Sequence, residues 1–164
     1  MRGWIALGKA DLAGARALLD SVDPAGDHGL LAERALLAAK VENRAAAYDQ
    51  VAAQAAIVLA LEGDPAVSGA VVAEAYQARG VARMYQRDDA GAVEDLTHAS
   101  RIAREAGAQR IEAMAFASLA MAHQRAGRAK DARAAYDASI TAAEAANDAV
   151  SYTHLRAHKT DSYL

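Results

Sequence analysis

The chain ends on "SYTHLRAHKTDSYL", residues 151–164, in which His154 and His158 stand four apart. Two imidazoles at that spacing meet on one face of a helix and could share a metal ion. Zinc takes three or four ligands, and Asp161 is the acidic residue nearest to the pair. Leu155 stands where the metalloprotease pattern HExxH has its glutamate, so no general base accompanies the histidines. The other residues able to do chemistry are dispersed. His28, His98 and His123 are far apart in sequence. His123 falls on the packing face of a helix, which predicts a partly buried, hydrogen-bonded ring. Asp88 and Asp89 are adjacent, so their side chains would leave a helix in different directions, and a helix-start role is expected of them. Glu94 and Asp95 are assigned to a solvated face. Asp64 is expected to cap the helix that follows, with Pro65 at its first position. The glycines around positions 26–29 and 63 match neither GxGxxG nor GxxxxGK followed by Ser or Thr, so no phosphate loop or cofactor is expected. No serine has a histidine and an acid at a recognisable spacing. The expectation is a protein that is not an enzyme on its own, with no catalytic, cofactor-binding or metal residues.

Composition narrows the class further. The chain has 164 residues, enough for one domain or one slice of a repeat array. Lys and Arg number 18 against 21 Asp and Glu, a net charge of -3, which gives no support for a nucleic-acid surface. Cysteine is absent, which excludes disulfides and thiolate zinc sites and fits a cytoplasmic location. No apolar run approaches the roughly 18 residues needed to cross a bilayer, so no membrane association is expected. "WIALGKADLAGA" meets charge too early for a signal-peptide core.

Alanine is the commonest residue, and only Pro24 and Pro65 interrupt the chain. Alanine has the highest helix propensity and lets helices approach closely, so the class is all-α. Phe116, Leu119, Ala120 and His123 follow three- and four-residue steps. Ala132, Ala135, Tyr136, Ser139, Ile140 and Ala143 resume the pattern beyond Gly127. Two helices joined at "RAGRAKD" are predicted, with Gly127 taking a left-handed conformation in the turn. Ala120 and Ala132 would let the pair close, and Tyr136 would fill the space beside them.

The arrangement recurs upstream. Gly80 and Ala92 are twelve apart, as Ala120 and Ala132 are, and Tyr76, Leu96 and Ala99 fall at the places of Phe116, Tyr136 and Ser139. A third copy reads as Leu31, Ala35, Ala47, Val51 and Gln54, and a partial fourth as Gly3, Ala15, Leu19 and Val22. The offsets between copies are then 32, 45 and 40 residues. Turns are placed near residues 42–45, 86–90 and 125–129. Helix pairs recurring at such intervals indicate an α-solenoid over residues 3–147.

This pattern resembles the tetratricopeptide repeat family. Leu119, Ala120, Gly127, Ala132 and Tyr136 carry the likeness, with echoes at Gly80, Ala92, Leu96 and Ala99. Asn147 and Asp148 stand where the repeat usually closes on proline, and "SVDPAGDHGL" and "LEGDPAVSGA" lengthen two connections. The resemblance implies an α-α superhelix of antiparallel pairs whose first helices line a concave surface. Stretched, alanine-rich repeats of this kind resemble those of large bacterial signalling and transcriptional regulators. The implied function is a protein-interaction scaffold holding a protein or peptide. Arg79, Arg83, Gln86, His123 and Gln124 are the candidate groove residues, and the arginines would favour an acidic partner. A helical ligand-binding domain, or part of an enzyme, is the alternative.

Residues 1–150 are read as the repeat domain. The short "MRGWIALG" before the first turn suggests a piece of a longer protein, with Trp4 a core residue at its edge. The composition changes at Ser151, and "SYTHLRAH" resembles translated sequencing-adapter sequence. Residues 151–164 are therefore expected to be non-native or disordered, and His154 and His158 to bind no metal.

Overall fold

The computed structural model describes residues 11–146. The expectations for Gly3, Trp4, His154, His158 and the 151–164 tail lie outside that range. Within it the chain forms α1 (Leu12–Asp20), α2 (His28–Arg44), α3 (Tyr48–Leu59), α4 (Gly69–Tyr85), α5 (Asp89–Glu105), α6 (Gln109–Arg125) and α7 (Ala129–Ala145). No strand occurs among the described residues, in keeping with the all-α expectation.

Each helix packs against the next in chain order. In addition α2 meets α4, and α4 meets α6, whereas α3, α5 and α7 do not meet one another to a comparable degree. The stack therefore bends toward α2, α4 and α6, whose outward faces line its inner side. From α2 onward the helices start at residues 28, 48, 69, 89, 109 and 129, so a pair recurs every 40 or 41 residues. The offset of 40 agrees with the spacing read from Gly80 and Ala120.

The third copy corrects to a register one helical turn later. Ala39, Val51 and Ala55 occupy the places of Gly80, Ala92 and Leu96, and all are buried. The expected set Ala35, Ala47 and Val51 is displaced because residues 42–44 are still inside α2 and the turn lies at 45–47. Alanine at every third or fourth position satisfies either register, so only the turn fixes it.

Those turns share one construction. Residues 45–47, 86–88, 106–108 and 126–128 each join two helices directly. The amide of Asp88 donates to the carbonyl of Arg83 at 2.9 Å, and Ala47, Ala108 and Arg128 do the same to Glu42, Ala103 and His123. This six-residue closure satisfies carbonyls at the helix end, and it requires the middle residue to be left-handed. Gly107 and Gly127 take that conformation at φ 66° and 71°, as expected of Gly127. Ala46 and Arg87 take it too, at φ 55° and 69°. The turn at 106–108, which connects one pair to the next, has the same form as the turns within pairs.

Asp88 caps α5 by accepting from the Gly91 amide at 2.9 Å, and Asp11 caps α1 by accepting from Gly14 at 2.8 Å. The helix-start reading of Asp88 holds. Asp64 does not cap α4. Its carboxylate accepts from the Ala66 amide at 2.8 Å in the connecting loop and pairs with His28 Nδ1 at 2.6 Å. Ser68 caps α4 instead, because the helix starts four residues beyond Pro65.

The core runs along the stack in patches rather than around one centre. Small residues set the spacing. A Cβ added to Gly80 would fall 2.7 Å from Leu96 Cγ, so α4 and α5 approach as closely as a glycine allows. In the last pair Ala120 and Ala132 are buried, and Tyr136, 3% exposed, packs in one apolar patch with Ala120. Leu119 completes that patch.

Candidate interaction surface

Arg79 and Arg83 are one helical turn apart on α4 and come together, though on a carboxylate of their own chain. Arg79 Nε and Nη2 donate to Asp95 at 2.8 and 2.7 Å. Arg83 Nη1 lies 3.0 Å from the same carboxylate and donates to the Gly91 carbonyl at 3.2 Å. Asp95 is 1% exposed, which corrects its placement on a solvated face; its neighbour Glu94 is the exposed one. The hydrogen bonds it donates to Asp95 raise the pKa of the Arg79 guanidinium. Arg79 also lies over the Tyr76 ring, which stacks beside His98, and Tyr76 donates its hydroxyl to Glu62 at 2.8 Å. These groups form a charged seam between α4 and α5. It locks one pair and leaves its arginine heads largely committed to that pair.

The last pair replaces this seam with apolar packing. Leu119 and Ala135 stand at the places of Arg79 and Asp95, forty residues on, and His123 stands at the place of Arg83. His123 is half-buried, as expected, but its Nδ1 is enclosed with no hydrogen-bond partner among the described residues. Burial lowers its pKa, with Arg128 acting in the same direction and Asp131 against it. Gln124 is exposed, and its Oε1 accepts from the Tyr136 hydroxyl at 3.4 Å. Gln86 donates to Asp49 at 2.6 Å. His28, His98 and His123 do not converge. Among the described residues no three His, Asp or Glu side chains could hold a metal, and no helix is long and apolar enough to cross a membrane.

A different surface emerges on the inner side. Among the described residues the exposed large apolar side chains are Leu30, Tyr85, Met114 and Met121; Tyr85 stacks on Tyr48 of α3, whereas both methionines belong to α6. Met114 and Met121 are seven apart, hence on one face of α6, and each is 44% exposed. Met114 borders a cavity of about 170 Å³ that α2 and α4 also line, through Lys40, Gln77, Ala78 and Val81 among others. Polar links tie the three helices there. Lys40 Nζ pairs with Glu74 at 2.7 Å, and Gln77 Nε2 donates to Ser118 Oγ at 3.3 Å. A second recess of about 310 Å³ opens between α1 and α2 against Leu19, Leu30 and Leu37.

The periodicity of Phe116, Leu119 and His123 marks the face of α6 turned toward the pair. The complementary row of residues 114, 118 and 121 has the same periodicity. Its signal was two methionines one heptad apart in a chain holding four. No protein-family model matches the chain, and no curated protein matches it either.

Proposed function

We propose that this chain is a protein-interaction scaffold of the tetratricopeptide-like kind, which holds a protein or peptide against the inner faces of α2, α4 and α6. The observation that carries this reading is the exposure of Met114 and Met121 on one face of α6, beside a cavity that α2 and α4 also line. Large apolar side chains gathered on one surface mark interaction sites. Methionine suits such a surface because its unbranched, polarizable side chain repacks around different partners. The stacked pairs hold these helices at fixed spacing, so a partner is read by several small contacts. The alanine-rich, stretched repeats support a place in a bacterial signalling or transcriptional regulator.

The test places a photo-cross-linking residue at Ser118 on the inner side, or at Thr97 on the exposed side of α5, in cells that make the protein. A defined partner should be captured at Ser118 and not at Thr97. Equal capture at both positions, or capture at Thr97 alone, would remove the inner face from consideration.

A further inference from the structure

The inner row of α6 carries a charge pattern that narrows the partner. Along one face stand Arg110, Met114, Ser118, Met121 and Arg125, at steps of three and four residues. The centre is apolar and both ends are cationic. Arg110 is exposed and has no ion-pair partner among the described residues. Arg125 Nε lies 3.6 Å from Asp89, too far for a hydrogen bond, and both side chains are about one-third exposed. The two methionines are about 10 Å apart along the helix axis, and the two arginines about 22 Å. The neighbouring α4 offers Ala78 and Val81 at the same level, so the apolar centre has a second wall. Glu74, which lines the same cavity, is already paired with Lys40.

Building on the inner-face reading above, we infer that the partner is an amphipathic helix with an apolar stripe and an acidic residue at each end. Two apolar side chains seven apart match the spacing of Met114 and Met121. Acidic residues four before the first and four after the second reach Arg110 and Arg125. A helix supplies this spacing because its period equals that of α6, so both rows stay in step over four turns. Arginine is the better end group for this work, since its fork donates two parallel hydrogen bonds to a carboxylate.

The probe is a panel of stapled helical peptides tested against the full chain by fluorescence anisotropy. Each carries leucines at the stripe positions and glutamate, glutamine or lysine at both ends; one extended acidic peptide is added. The glutamate-ended helix should bind best, and the lysine-ended one about tenfold more weakly or worse. Met121→Glu should abolish binding with the circular dichroism spectrum unchanged. Arg110→Glu and Arg125→Glu together should reverse the preference between glutamate and lysine ends, a result that general unfolding cannot produce. Equal affinity for all three end charges would overturn the inference, as would preference for the extended peptide. So would concentration-dependent dimerisation abolished by Met121→Glu, which would assign the face to a second copy. Binding by none of the panel would also overturn it. The inner-face reading would survive any of these results if Ser118 still captured a partner, and would fall separately if it did not.

Discussion

At the scale of single residues, charge does structural work. Asp95 is enclosed with two arginines, and removing both would leave a buried carboxylate without a cation. Changing Arg79 and Arg83 together to alanine should therefore cost about 3 kcal/mol in urea unfolding. Any loss of partner binding in that variant would report the fold rather than a groove contact. The double change Arg79→Leu and Asp95→Ala copies the residues at the equivalent places in the last pair. It should stay within about 1 kcal/mol of the parent, because apolar packing can substitute for a buried ion pair. A second ion pair acts at the start of the stack. Arg16 donates to both oxygens of Glu42, at 2.8 and 2.6 Å, and joins α1 to α2. The hydrogen bonds from Arg16 hold Glu42 below its ordinary value of 4.5. Its contribution is therefore complete above that value and is lost as pH falls through the depressed one. The Tm difference between parent and Glu42→Gln should be constant near neutrality and shrink on acidification below about pH 4.

Helices and turns obey a second set of constraints. Each direct turn needs one left-handed residue, and two of the four use a residue with a side chain. Ala46→Gly and Arg87→Gly should each raise stability by about 0.5–1 kcal/mol, whereas Gly127→Ala should lower it by about 1 kcal/mol. Thermal melts of the three variants would check both signs. Where helices touch, the constraint is volume. Gly80→Ala should cost about 1–3 kcal/mol, because its Cβ would meet the branch point of Leu96. Pairing it with Leu96→Ala should recover part of that loss, and a double-mutant cycle would measure the coupling.

The whole molecule is built of neighbour contacts, with alternate inner helices touching as well. Stability in such a stack is a sum of local terms, so its ends should open before its middle. Native-state hydrogen exchange should give the highest opening free energies in α4, α5 and α6, and lower ones in α1 and α7. A single value across all seven helices would show that the stack unfolds as one unit. The same linear design leaves part of the inner face of α6 outside those contacts. The apolar centre and cationic ends of α6 can then be set by a partner rather than by the core.

Sequence by itself determined the helical class, two of the turns and the twelve-residue spacing that closes the last two pairs. Those features are local: helix propensity, a period of three to four residues, and a glycine where the backbone turns left-handed. It also identified Asp88 as a helix start, since the capping hydrogen bond spans only three residues. Tertiary structure alone decided the rest. The register of α2 against α3 escaped detection because alanine fits equally well one turn away. Asp95 read as a solvent-facing acid because its cations lie sixteen and twelve residues earlier, on another helix. Met114 and Met121 drew no assignment from the sequence, because hydrophobic spacing marks a face without saying what covers it. That is decided when neighbouring helices take their places, and on the inner side of α6 they leave both methionines partly open.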